Sequence, residues 1–242
     1  MQEINRKESI VILHGWGASR KSWEQVARSL EERGFKVFVP DLPGFGSAPP
    51  PESVWGLEEY ISFLKKAVRE QGLERFVLAG HSFGGQLALG FALAHPREVE
   101  KLVLVAPAAI RRKPGLAKNI LKLAAKIGGA FFFLLPFESL RTNARKAFYR
   151  LVGRRDYLKA TGVMRNVMAK VISQDLSPRF GELAIPTLLV WGDKDALVPL
   201  QDAETMKDAI PHAELKVFAG VGHNPHFDRP QELAESIASF AS

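Results

Sequence analysis

The sequence contains no cysteine. That excludes disulfides, thiol nucleophiles and zinc–thiolate sites. Long apolar runs are missing as well. The longest, residues 127–137, spans 11 positions and includes Gly128, Gly129 and Pro136, whereas a membrane-spanning helix needs ~20. The first eight residues are polar and charged and lack the apolar core of a secretory leader. There are no internal repeats and no low-complexity tracts. The expectation is a soluble cytoplasmic protein. Acidic residues are scarce in one stretch: residues 109–182 hold 16 Lys+Arg and 4 Asp+Glu, a net of +12, while the rest of the chain carries −5. A basic segment between acidic halves reads as an insert with its own surface role, although a solvated helix surface explains it equally well.

What is present suffices for one large domain with an insertion. The chain has 242 residues and is 46% hydrophobic. Short apolar runs at 9–13, 35–39, 75–79, 101–105, 187–191 and 215–218 read as strands. Helical patterns at 21–33, 55–71, 83–95, 202–210 and 231–240 alternate with them. Gly34 and Gly72 stop two of these helices, and Ser53 is placed to cap the second. Strands alternating with helices predict an α/β fold, a mostly parallel sheet of about six strands with helices on both faces. The insert reads helical throughout. Lys118, Lys122 and Lys126 share one stripe opposite Leu116, Ile120, Leu123, Ala124 and Ile127. Further helical stretches run over about 140–152 and 157–173.

The chain is organised around Phe76-Val77-Leu78-Ala79-Gly80-His81-Ser82-Phe83-Gly84-Gly85. An apolar strand runs into Gly-x-Ser-x-Gly and then into an almost wholly apolar helix. A strand that turns at once into a helix strains the corner residue, and glycines on either side let the two elements approach closely. Ser82 is thereby presented as a nucleophile, with strand before and helix after as that pattern requires.

A serine hydroxyl needs a base, and six histidines are available. His223 follows the last strand in Gly220-Val221-Gly222-His223, on a loop that reaches the same sheet edge; His226 is its rival. His14 and His81 flank glycine turns and read as supporting groups. His95 sits at a helix C-terminus and His212 at the surface. The base needs a carboxylate behind it, and Trp191-Gly192-Asp193-Lys194-Asp195 offers two, Asp195 being preferred and Asp193 remaining open. Acyl chemistry also needs donors for a developing oxyanion. The amides of Phe83 and of Trp16, in His14-Gly15-Trp16-Gly17, are the candidates. Trp16, Val198 and the run Phe131, Phe132, Phe133 and Leu134 are candidate walls of an acyl pocket. The plainer reading of that aromatic run is packing of the insert on the main domain.

Together, His14-Gly15-Trp16-Gly17, Asp41-Leu42-Pro43-Gly44-Phe45-Gly46-Ser47, Gly80-His81-Ser82-Phe83-Gly84-Gly85, Trp191-Gly192-Asp193-Lys194-Asp195 with Pro199, and Gly222-His223 resemble the α/β-hydrolase fold family, and the resemblance covers nearly the whole chain. It implies a core of residues 1–108 and 183–242. It further implies a helical cap at 109–182, inserted after the sixth family strand. It carries the family's triad onto Ser82, Asp195 and His223, and its oxyanion hole onto the Trp16 and Phe83 amides. In one respect the chain departs from the pattern: only about eight residues precede the first strand, so the usual leading hairpin is missing or reduced. Serine at the elbow disfavours the dehalogenase and epoxide-hydrolase branches, which use aspartate there. The carboxylesterase branch fits best, including its acyl-carrier-protein methyl esterases.

The expected activity is ester hydrolysis through an acyl-enzyme, with no metal and no cofactor. Alternatives on the same triad are carbon–carbon bond hydrolysis and thioester hydrolysis, and a further alternative is a ligand-binding protein with little turnover. The basic insert suits an acidic carrier protein or an anionic membrane surface. Nucleic acid is not an expected partner, and nothing in the sequence indicates an oligomeric state.

Overall fold

In the computed structural model of the chain, residues 8–111 and 162–242 are described. The sequence expectations for the body of the insert therefore lie outside the described residues. These are the Lys118, Lys122 and Lys126 stripe and the pocket candidates Phe131, Phe132, Phe133 and Leu134.

Six strands form one sheet: β1 (Ser9–Leu13), β2 (Lys36–Phe38), β3 (Phe76–His81), β4 (Val99–Val105), β5 (Thr187–Gly192) and β6 (Ala213–Phe218). Their order across the sheet is β2-β1-β3-β4-β5-β6, and every pairing is parallel. A parallel sheet covered on both faces needs strands that are apolar on both. Alternation along β1 shows it: Val11 and Leu13 belong to one core cluster, Ile10 and Ile12 to the other. The first cluster lies under α2 (Leu57–Glu70), α3 (Phe83–Ala94), α4 (Val163–Ser173) and α5 (Leu200–Ala209). The second lies under α1 (Glu24–Glu32) and α7 (Pro230–Ala241). A short α6, Pro225–Asp228, precedes α7 and is not visible in the periodicity.

The chain leaves β1 toward one edge to make β2, then returns past β1 to make β3. That reversal opens a crevice above the carboxyl ends of β1 and β3, where sheets of this kind place their sites. The strand β2 is terminal in the described sheet.

Two local expectations need correction. Ser53 does not cap α2. Gly56 is the cap residue, and Glu59 reaches back so that its Oε2 accepts the Gly56 N–H at 2.6 Å. A carboxylate in the first turn also complements the positive end of the helix, so Glu59 supersedes the serine. Residues 21–33 are not one helix: a 3₁₀ turn, Arg20–Trp23, precedes α1. Gly34 and Gly72 do end their helices, both in the left-handed region at φ 95° and 66°.

At the β3–α3 corner, a Cβ on Gly84 would strike the Leu13 and His14 carbonyls, and one on Gly80 would strike the Gly84 carbonyl. The first turn of α3 therefore rests directly on the end of β1. Gly84→Ala is expected to lower stability by about 1–3 kcal/mol, while Gly181→Ala, where a Cβ meets nothing within 4 Å, changes it by less than about 0.5 kcal/mol. Urea denaturation of the two variants measures the difference, and equal midpoints would contradict it.

Candidate active site

Ser82 is both the corner residue and the N-cap of α3, at φ 52° and ψ −113°. Non-glycine residues rarely adopt this conformation, and it costs on the order of 1–3 kcal/mol. The surroundings hold it in place. Its N–H donates to the Val105 carbonyl at 3.0 Å, and its own carbonyl accepts from Gln86 N–H at 2.9 Å and Ala108 N–H at 3.0 Å. Next to it, Phe83 opens α3, where the first amides have no partner within the helix. The turn after β1 lies against the same helix end, bringing Trp16 to Phe83 with ring centroids 5.4 Å apart. Both sequence-predicted oxyanion donors thus sit on the two segments that meet at Gly84.

Asp195 and His223 are joined: His223 Nδ1–H donates to Asp195 Oδ2 at 2.7 Å. The Asp195 side chain is fully buried. Its other oxygen accepts the Leu197 and Val198 N–H groups at 2.8 and 2.9 Å. Three donors converging on one buried carboxylate fix its direction. With Nδ1 carrying the proton, His223 Nε2 is the free base nitrogen. Ser82 Oγ is not hydrogen-bonded to His223 in this structure, and in unliganded sites such bonds are often long and tighten with substrate. Contact between the two segments runs through His81, whose ring lies 4.8 Å from that of His223.

The remaining candidates separate cleanly. Asp193 faces away: its Oδ1 accepts the Gly220 N–H at 2.7 Å and ties the loop after β5 to the loop after β6. His226 does not meet a carboxylate. It is buried and stacked on Trp23, with centroids 5.0 Å apart and planes 8° from parallel. His14 receives the Leu42 N–H on Nε2 at 3.0 Å and bonds the Gly15 carbonyl through Nδ1 at 2.9 Å, so it braces the turn that carries Trp16. Gly192 is what lets the base loop come close, because a Cβ there would strike the Val221 and Gly222 carbonyls.

Val198 packs at the edge of the core cluster, and its carbonyl accepts Trp191 Nε1–H at 2.8 Å. Around Trp16 the described wall is aromatic. Phe45 meets Trp16 edge-on at 4.8 Å, Tyr60 meets Phe83 at 5.1 Å, and Trp55 meets Tyr60 at 5.2 Å. The Tyr60 hydroxyl donates to the Pro43 carbonyl at 2.9 Å, and burial pushes its pKa up. Sequence reasoning missed Phe45, Tyr60 and Trp55 as neighbours of the site: Phe45 reads only as part of the 41–47 motif, and Trp55 and Tyr60 only as part of a helical pattern. The motif residue Asp41 accepts from Arg20 N–H, Ser47 N–H and Ser47 Oγ–H, which secures the loop carrying Phe45. Among the described residues, no cluster of His, Asp and Glu is placed to hold a metal ion, and no helix is long and apolar enough to cross a membrane.

Comparison with known proteins gives the family. The profile of the alpha/beta hydrolase fold matches residues 8–230, and the chain belongs to that family. It is similar to lipase 1 of Psychrobacter immobilis, at 26% identity over 97% of this chain and 77% of that protein. It is likewise similar to a 2-hydroxy-6-oxononadienedioate/2-hydroxy-6-oxononatrienedioate hydrolase of Cupriavidus pinatubonensis, at 26% identity over 96% of this chain and 86% of that protein. Among solved structures, the esterase EaEST of Exiguobacterium antarcticum shares the fold, with a TM-score of 0.73 and 22% identity over 97% of this chain and 91% of that one.

The imidazoles behind the site are uncharged. Burial, then the nearby His223, lowers His226 to about 4. Burial lowers His14 and, more strongly, His81. A histidine whose folded pKa lies below its ordinary 6.5 takes up its proton more readily in the unfolded chain. Its contribution is therefore a loss of stability that sets in as pH falls below about 6.5 and is complete below about 4. For His226 the loss is about 2 kcal/mol at pH about 5. His226→Gln is expected to lose about that much less stability than the parent chain between pH about 7 and about 5, measured by urea denaturation. Equal losses in both proteins would refute the assignment.

Proposed function

We propose that this hydrolase cleaves carboxylic esters through an acyl-enzyme on Ser82. The observation that carries the reading is the Asp195–His223 pair, bonded at 2.7 Å, on the loops beside a strained serine at φ 52°. In the proposed mechanism Ser82 Oγ attacks the ester carbonyl as His223 Nε2 takes its proton. The buried Asp195 carboxylate stabilises the resulting imidazolium. The Phe83 and Trp16 amides receive the oxyanion. Collapse expels the alcohol, which leaves with the proton from His223. Water, deprotonated by the same imidazole, then releases the acid. The aromatic surface of Trp16, Phe45 and Phe83 supports an apolar acyl group. Residues 109–182 are proposed as a cap over that group, with Phe131, Phe132, Phe133 and Leu134 facing it.

Ser82→Ala is expected to abolish labelling by a fluorophosphonate and to lower kcat by about 10⁵–10⁶-fold. Asp195→Asn, which leaves the shape intact but disturbs the tautomer of His223, costs about 10⁴-fold. Turnover of p-nitrophenyl esters reads both, and a Ser82→Ala protein with parental activity would end the reading. The resemblance to a 2-hydroxy-6-oxononadienedioate hydrolase supports a second one, hydrolysis of a carbon–carbon bond beside a ketone by the same residues. A panel of esters of two to sixteen acyl carbons, run beside a vinylogous diketone, separates the two readings.

The basic insert supports an acidic partner, and we propose a carrier protein bearing the acyl ester. Its rate of turnover is expected to fall as salt is raised, because screening weakens the attraction between charged surfaces. A rate indifferent to salt removes the carrier. Sedimentation with anionic but not neutral vesicles would assign the charge to a membrane instead.

A further inference from the structure

His81 stands immediately before the proposed nucleophile, yet no step of the mechanism uses it. It is buried, its ring wedged among three parts of the site. Nε2–H donates to the backbone carbonyl of His223 at 2.8 Å, across 142 residues of sequence. On the opposite side, Nδ1 lies against Gly15, where a Cβ would come within 2.8 Å of it. The ring of His226 closes a third side, with centroids 4.5 Å apart and Trp23 stacked behind.

Burial, then the charges His226 and His223 would carry, keeps His81 neutral. The His223 carbonyl favours its charged form but does not prevail, and His14 is the other titratable group acting on it. The donated hydrogen bond therefore fixes the tautomer, with the proton on Nε2 and Nδ1 bare. Nδ1 is buried without a hydrogen-bond partner. A phenylalanine would bury no unsatisfied nitrogen, but it would leave the His223 carbonyl without its donor. What histidine adds is one N–H aimed at the base loop.

We propose that His81 is a positioning residue whose Nε2–H, held by the His223 carbonyl, sets where the imidazole of His223 stands relative to the Ser82 hydroxyl. Asp195 orients the ring of His223 from its side chain. The loop itself is tied by Asp193 at Gly220 and by Lys194 N–H at the Val221 carbonyl, 2.9 Å. Neither of those bonds reaches the residue that bears the base. His81 does, from the position beside the nucleophile, so nucleophile and base share one rigid connection. Its contact with Gly15 extends that connection to the turn carrying Trp16.

The inference rests on the serine-hydrolase reading for its kinetic consequence, though not for the hydrogen bond itself. The test compares His81→Phe, which keeps a ring but has no donor, with His81→Gln, which offers an amide N–H at a similar reach. With p-nitrophenyl butyrate, His81→Phe is expected to lose about 10²-fold in kcat with KM nearly unchanged, and His81→Gln to recover most of it. The low-field proton resonance of the Asp195–His223 hydrogen bond should broaden in His81→Phe and return in His81→Gln. That resonance is observable even if the parent chain proves inactive on esters, so failure of the reaction assignment is distinguished from failure of this one. Parental kcat and an unchanged resonance in His81→Phe would overturn the proposal, as would a folded His81→Gln as impaired as His81→Phe. If His81→Phe does not fold, ¹⁵N spectra of the parent chain decide: a proton on Nε2 of His81, hydrogen-bonded to the carbonyl of His223, supports the proposal, and a proton on Nδ1 refutes it.

Discussion

The close approach of α3 to the sheet at the end of β3 is the constraint on which the rest depends. It requires no side chain at Gly80 and Gly84, where any Cβ would meet backbone carbonyls. It forces Ser82 into a left-handed conformation, and the bond Ser82 donates to Val105 and those it accepts from Gln86 and Ala108 hold the bend against that strain. Because the chain reverses direction across the sheet between β1 and β3, the turn after β1 is pressed against the same helix end. One packing contact thus brings together the hydroxyl, the two candidate oxyanion amides and the first aromatic of the wall.

The loops after β5 and β6 are brought in by different means. Gly192 lets the second loop lie on the first, and Asp193 stitches them together from outside. Asp195 occupies the inside, with both oxygens engaged, one by two amides and the other by His223. Two carboxylates of the same type, separated by Lys194, thus serve different purposes. An exposed one ties backbone to backbone, and a buried one orients an imidazole. Burial decides this, since a carboxylate removed from water must be matched by donors, and only Asp195 has three.

Behind His223 the site is built from neutral rings. His14, His81 and His226 are all held below their ordinary pKa by burial. Keeping them uncharged leaves Asp195 as the charged group bonded to the His223 imidazole. That suits the base role proposed for His223, because a second fixed cation beside it would oppose the imidazolium of the proposed mechanism.

Much of this was legible in the residues alone. Six strands, their alternation with helices and the elbow at Ser82 follow from period, glycine placement and spacing. All of these are local properties of the chain. The extent of α2 was legible too, but its cap was not: Gly56 and Glu59 took the place of Ser53 because a carboxylate reaching back to an amide depends on the loop's path. The choice between Asp193 and Asp195, and between His223 and His226, was open on spacing. Each pair lies within a turn or two of chain, so either member could reach the site. Only the folded loops decided which carboxylate is buried and which imidazole stacks on Trp23. The sequence determined which kinds of groups stand at the carboxyl edge of the sheet. The tertiary structure determined which of them touch, because hydrogen bonds and burial between residues 28 and 142 positions apart are set by how the strands align and not by any local pattern.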